Sequence, residues 1–141
     1  MSQDCIFCKI IAGDSPCTRV HEDAHALAFL DIGPVVKGHT LVVPKIHSDP
    51  VTETPPETLQ HLIVVVQKIA RAQIDGLGAD GINVSQANGA CAGQVVPHLH
   101  FHVIPRFLDD GCSFNWTPGK YDSAEEMTRY SEKMRAALAS A

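Results

Sequence analysis

The chain has 141 residues, 11 Lys and Arg against 16 Asp and Glu, and a formal charge of −5 at neutral pH, with 45% hydrophobic and 19% charged residues. That is the balance of one globular domain; scattered cations under a net negative charge exclude a broad nucleic-acid or other polyanion surface, and no run approaches the ~20 apolar residues of a membrane span. Against 1 Trp, 2 Tyr and 5 Phe, the 8 histidines make imidazole the side chain that this composition stresses.

In chain order, residues 5–12 place Ile6, Phe7, Ile10 and Ile11 at helical spacing and meet Gly13, which predicts a short helix stopped by its glycine. Residues 26–32 form an apolar run carrying Asp31 and bounded by Gly33 and Pro34, and residues 40–43 form a second, closed by Pro44. The intervening GPVVKGH supplies a reversal, so the two are expected to pair antiparallel. After a Pro- and Thr-rich loop at 49–56, Leu59, Leu62, Ile63, Val66, Ile69 and Ala70 recur at steps of three and four, predicting a central helix over 56–75. Pro55 and Pro56 suit its start, and Gly76 and Gly78 its end.

Residues 81–87 read as a strand, 88–93 as a glycine-containing loop and 97–105 as a further strand. A last helix is expected over 123–139: Ser123 and Glu126 fit a capping box, and Met127, Tyr130, Met134 and Leu138 make an apolar stripe. About five strands with separate helices indicate a single α+β domain, 1–141, around an antiparallel sheet.

The informative run is His98-Leu99-His100-Phe101-His102-Val103-Ile104. Alternation along a strand would set the three histidines on one face and Leu99, Phe101 and Val103 on the other, against the central helix. Three titratable rings on one face with no task are costly, since they repel one another once charged. Two chemistries fit. Two or three imidazoles can ligate a metal that keeps one open position, or one imidazole can attack as a nucleophile while its neighbours hold an anionic substrate. The glycine loop upstream, NGACAGQ, favours the second, because glycines let backbone N–H groups approach an anion. Carboxylates near the row are also too few to complete a metal site.

The run GQVVPHLHFHVIPR, together with CIFCKIIAG, AFLDI and KGHTLVVPKIH in that order, resembles the histidine triad (HIT) family over about residues 5–106, and most of all its small bacterial, nucleotide-binding members. The resemblance implies a sheet that becomes continuous across a homodimer. It implies hydrolysis or nucleotidyl transfer at the α-phosphate of purine nucleotide substrates, nucleoside phosphoramidates or dinucleoside polyphosphates, with His100 attacking to give a nucleotidyl-imidazole that water then cleaves, and a purine nucleotide such as AMP or GMP, or a dinucleotide, as the bound partner. His102 and Gln94 would hold phosphate oxygens, and His98 and His39 would complete the catalytic set. Asp31 would accept from the ribose hydroxyls. Ile6, Phe7, Ile10, Phe29, Leu30 and Ile32 would form the slot for the base, with Asn88 and Gly93 as further contacts. Phosphoramidate-hydrolysing members commonly carry Ser or Thr where this chain has Val95, which shifts the expectation toward a phosphate or nucleotide leaving group. The rival readings are a nucleotide-binding regulatory module with little turnover and a zinc enzyme using the triad as its metal site.

Cys5 and Cys8 form a CxxC, which a zinc site must complete with two further ligands. The resemblance supplies His47 and His98, implying a structural Zn2+ and no organic cofactor. The odd count of 5 cysteines and the absence of a leader-like start predict a reducing, cytoplasmic setting without a disulfide framework. His21, His25 and His61 follow no such pattern and are expected to be solvated surface residues.

Overall fold

The computed structural model describes residues 4–113 and 115–141. Three helices, α1 (Ile6–Ala12), α2 (Pro56–Leu77) and α3 (Ala124–Ala139), accompany five strands: β1 (Arg19–Glu22), β2 (Ala26–Leu30), β3 (Thr40–Pro44), β4 (Gly81–Ser85) and β5 (Phe101–Arg106). All neighbouring strands pair antiparallel in the order β1-β2-β3-β5-β4, giving an α+β domain with β1 and β4 at the edges.

Strand alternation divides the core between the two faces of the sheet. Ala26, Ala28, Val42, Leu99 and Val103 point to one side and pack under Leu62, Val65, Val66 and Ile69 of α2. Leu27, Phe29, Leu41 and Val43 point to the other, where Phe7, Cys8 and Ile10 of α1 cover them. A period of 2 in the strands thus meets a period of 3.6 in the helices, and each face is buried by one helix.

Both helix ends follow backbone chemistry. The Cys8 N–H donates to Cys5 Sγ at 3.5 Å, so the first cysteine caps α1, and Gly13 closes that helix in the left-handed region at φ 86°. Gly78, at φ 71°, ends α2, which therefore runs two residues past the expected 56–75, with Gly76 inside it. Gly38 is a further special position: its φ is +98°, and a Cβ there would lie 2.6 Å from Leu77 Cδ1 and 3.1 Å from Pro105 Cγ. Gly38→Ala is expected to destabilise the domain by about 2 to 3 kcal/mol, from left-handed strain plus overpacking, read as a lower urea midpoint at unchanged slope.

The fold departs from the sequence expectations at four places. β1 has no apolar alternation to predict it: Arg19–Glu22 is held by pairing with β2 and by contacts of Arg19 and Lys45 with Glu22. β5 begins at Phe101 and not at residue 97, because His98 and Leu99 are drawn out of the ladder; the Leu99 N–H donates to the Ser48 carbonyl at 2.7 Å. Strands β2 and β4 end at Leu30 and Ser85, leaving Asp31, Ile32 and residues 86–87 in loops. Helix α3 has its capping box, the Glu126 N–H donating to Ser123 Oγ at 3.0 Å, yet Met127, Tyr130, Met134 and Leu138 are all exposed.

Candidate active site

Three connections converge on the α1 face of the sheet: the turn after β2, the start of β3 and the segment leading into β5. They place Asp31, His39, His98, His100 and His102 together. His39, His98 and His100 are buried, at 3%, 0% and 8% exposure, and His102 is half-buried. His100 and His102 rings lie 5.0 Å apart, and Phe7 meets the edges of both His98 and His100, at 5.8 and 5.1 Å.

Backbone hydrogen bonds fix which nitrogen of each ring carries the proton, since a carbonyl can only accept and an amide N–H can only donate. The Nδ1–H of His100 donates to the His98 carbonyl at 2.7 Å, so its Nε2 keeps the lone pair. The Val35 N–H donates to His39 Nδ1 at 3.2 Å, so His39 carries its proton on Nε2 and donates to His102 Nδ1 at 2.9 Å. His102 in turn presents Nε2–H. The Nε2–H of His98 donates to the Pro44 carbonyl at 2.9 Å, leaving Nδ1 as its lone-pair nitrogen. The row is therefore an acceptor at His100, a donor at His102 and a ligand nitrogen at His98.

Burial disfavours the charged form of three of these rings. It is the largest cause lowering His39, His98 and His102 below the usual imidazole value, opposed at His39 by Asp31, whose Oδ2 lies 3.7 Å from Nε2. For His102, desolvation and the neighbouring His100 and His39 bring the value down to about 4. The unfolded chain, with an ordinary imidazole, binds more protons than the folded one between that value and about 6.5, so stability is present above about 6.5 and is lost as the pH falls toward 4. His102→Gln is expected to remove roughly 1 to 2 kcal/mol of this acid dependence after allowance for partial exposure, checked by urea melts at pH 7 and 5.

In front of His100 and His102 lies a cleft of about 410 Å3. Ile6, Phe7, Ile10, Phe29, Leu30 and Ile32 all line it, as do Asp31 and Gly93, so the residues expected to form the base slot and the ribose contact share one wall system. Ile32 is fully solvent-exposed at its rim. Cys17 and Val96 also line it; Val96 belongs to the triad run without being singled out as a contact there, and no motif marks Cys17.

Asn88 and Gln94 are placed elsewhere. Asn88 Oδ1 accepts from the Val51 N–H at 2.8 Å, and its amide is paired with that of Gln86. Gln94 Oε1 accepts from the Gly89 N–H at 2.7 Å, while its Nε2 donates to Asp49 Oδ1 at 2.7 Å and to the Val96 carbonyl at 3.0 Å. Both side chains brace the loop over residues 86–96 and neither lines the cleft.

Behind the row, Cys5, Cys8, His47 and His98 bring one ligand atom each to within 4.8 Å of one another. His98 Nδ1 is 3.4 Å from Cys5 Sγ and 3.6 Å from Cys8 Sγ, and His47 Nδ1 is 3.3 Å from Cys8 Sγ. Two thiols and two imidazoles, one of the latter held in its ligating tautomer by a carbonyl, are the donor set a tetrahedral zinc ion takes. A second group, Asp31, His39 and His102, is equally close, but His39 offers it a protonated Nε2 as long as Val35 holds Nδ1.

A five-stranded antiparallel sheet carrying an imidazole row over an apolar cleft defines a histidine-triad domain. The HIT domain matches residues 12–109, and the chain belongs to the HIT family. It is 45% identical over 141 residues to Protein hit of Bacillus subtilis, covering 99% of this chain and 97% of that one. It is 40% identical over 135 residues to adenosine 5'-monophosphoramidase hnt1 of Schizosaccharomyces pombe, covering 95% and 98% of the two chains. Among solved structures, a zinc-bound histidine triad family protein from Mycobacterium smegmatis superposes with a TM-score of 0.77 at 42% identity, covering 97% and 99%.

Proposed function

We propose that the chain is a nucleotide hydrolase cleaving at the α-phosphate of purine nucleoside phosphoramidates or dinucleoside polyphosphates through a nucleotidyl-His100 intermediate. The observation that carries this reading is the 2.7 Å bond from His100 Nδ1–H to the His98 carbonyl, which leaves Nε2 of a buried ring basic at the floor of the cleft. His100 Nε2 attacks the α-phosphorus, a P–N bond forms and the amine or phosphate leaving group departs with its electron pair. The positive charge developing on the ring is stabilised by the carbonyl at Nδ1. Water then breaks the P–N bond, releasing the nucleotide and the neutral imidazole. His102 Nε2–H is the donor for a phosphate oxygen, aligned through His39 by the Val35 amide.

Asp31 Oδ1 is occupied by the Gly33 N–H at 2.8 Å, which orients the carboxylate at the cleft wall for ribose hydroxyls. The apolar slot supports a stacked base. Val95, 89% exposed at the rim, brings no hydroxyl, which favours a leaving group that needs no proton from the protein. The protonated His39 Nε2 weighs against the triad as a metal site. The name of the yeast relative, an adenosine 5'-monophosphoramidase, supports nucleotide chemistry.

A structural zinc at Cys5, Cys8, His47 and His98 belongs to the same reading: when bound, it pins α1 to the sheet. The homodimer is supported by the outer position of β4 and by the exposed stripe of α3, two surfaces that a second copy would cover. A reducing cytoplasm is consistent with five free thiols. Assaying AMP release from adenosine phosphoramidate and from diadenosine tetraphosphate tests the reading; absence of turnover on both, with AMP still bound, would leave the regulatory module in its place.

A further inference from the structure

The chain of hydrogen bonds that ends at His102 begins further back than Val35. Val35 spends its N–H on His39 Nδ1, and its carbonyl accepts the S–H of Cys112 at 3.5 Å, a sulfur hydrogen bond across 77 positions of sequence. Cys112 is itself held at both of its peptide groups. Its N–H donates to Asp110 Oδ1 at 2.9 Å, and its carbonyl accepts from Arg106 Nη2 at 2.6 Å.

Asp110 is the hub of this segment. Its Oδ1 also accepts from Arg106 Nη2 at 3.1 Å, while Oδ2 accepts from Arg106 Nε at 2.8 Å and from the Phe107 N–H at 3.0 Å. Four donors on two oxygens fill an ionised carboxylate, and they hold Asp110 well below the usual carboxylate range, Arg106 first among them. Arg106 is the last residue of β5, and its Nη1 donates to Asn83 Oδ1 on β4 at 2.8 Å. The segment 107–112 is thus fastened at its root to the strand that carries His102 and at its end to the turn that carries Val35.

The proton on His102 depends on that turn. Val35 is 45% exposed, so packing anchors it little and its two backbone hydrogen bonds set its place. With the Val35 amide gone, His39 Nδ1 could take the proton, its Nε2 would accept from His102 Nδ1–H, and His102 would turn a bare Nε2 toward the cleft. A lone pair there repels a phosphate oxygen. Asp31 favours a proton on His39 Nε2, but at 3.7 Å it is beyond hydrogen-bond reach.

We propose that Cys112, clamped by Asp110 and Arg106, is a positioning residue: by holding Val35 it keeps the protons of His39 and His102 on Nε2, so that His102 is a phosphate donor. The catalytic part of this inference rests on the role proposed for His102; the proton positions do not.

Long-range 1H–15N spectra of the full, unliganded chain labelled with 15N-histidine read the tautomers, and turnover of adenosine phosphoramidate reads their use. Wild type should show His102 protonated on Nε2 and bare on Nδ1. Cys112→Ala should give mixed tautomers at His39 and His102 and lower kcat about 3- to 10-fold, with KM within about twofold, since neither the apolar slot nor Asp31 is touched. Cys112→Ser keeps a donor and should restore the wild-type tautomer and about half or more of kcat. Asp110→Asn, whose amide sets N–H groups against groups that only donate, should mix the tautomers with the Cys112 thiol still present. Wild-type tautomers in Cys112→Ala, or a loss of kcat that Cys112→Ser does not restore, would overturn the proposal. Mixed tautomers with unchanged kcat would uphold Cys112 as the residue that sets the protons and count against His102 as the phosphate donor, so the two failures are distinguishable.

Discussion

Replacing His100 by alanine is expected to lower the rate of AMP release by about 10^4-fold or more, the scale on which loss of an attacking side chain acts in covalent catalysis. Binding should survive. The ring contributes one polar contact to a cleft otherwise built from Phe7, Phe29, Ile10 and the Asp31 carboxylate, so the AMP dissociation constant should stay within about tenfold of wild type. Rapid quenching of wild type with radiolabelled substrate should trap label on the protein, acid-labile as a P–N bond is, and His100→Ala should trap none. Unchanged AMP release by the variant would remove His100 as nucleophile, whereas label trapped on the variant would move that role to another residue.

The same experiment separates His102 from His100. In the proposed mechanism His102 donates and does not attack, so His102→Gln keeps a donor of similar reach and should lose less rate than His100→Ala, about 10- to 100-fold, while still forming the trapped species. The distinction comes from the proton positions. Val35, His39, His102 and the cleft form one directed chain, and His98 with His100 forms another, each set by a backbone group that can only donate or only accept. Sequence spacing brings the rings together; the protons are assigned by peptide groups from Val35 and His98 that no periodicity reveals.

Local pattern discloses what local pattern controls. Apolar periodicity marks α2, and the alternation of Leu99, Phe101 and Val103 with the triad marks which side faces it. The cleft residues are legible because HIT resemblance attaches to short motifs, and those motifs, AFLDI and CIFCKIIAG, form its walls. Pattern fails where long-range pairing decides. Asp23 meets His61 across 38 positions, so three histidines that read as solvated share one carboxylate. Gln94 and Asn88 can be placed in the right loop but not aimed, because their partners Asp49 and Val51 come from a different connection. In α3, periodicity predicts the helix and its stripe, while the chain leaves that stripe exposed, because none of its described strands or helices lies against it.

Removing metal from the Cys5, Cys8, His47 and His98 set is expected to act on both stability and rate, because His98 serves both sites. Its side chain offers Nδ1 to the two thiols, and its peptide carbonyl holds the His100 proton. An ion present at 1,000 times its dissociation constant stabilises the folded state by about 4 kcal/mol, so chelation or Cys8→Ser should lower the melting temperature by roughly 10 °C. Turnover should fall with it, at temperatures where the chain is still folded, since a His98 peptide freed from its ligated ring no longer fixes the tautomer of the nucleophile. The two effects can be told apart. Loss of α1 packing alone would raise KM through the Phe7 and Ile10 wall, whereas loss of the carbonyl bond lowers kcat, because the His100 ring is then no longer held with its lone pair on Nε2. Metal analysis fixes the assignment: the zinc-loaded chain should retain its ion in His100→Ala and lose it in Cys8→Ser. The opposite result would place the metal on the triad and return the row of imidazoles to ligand chemistry.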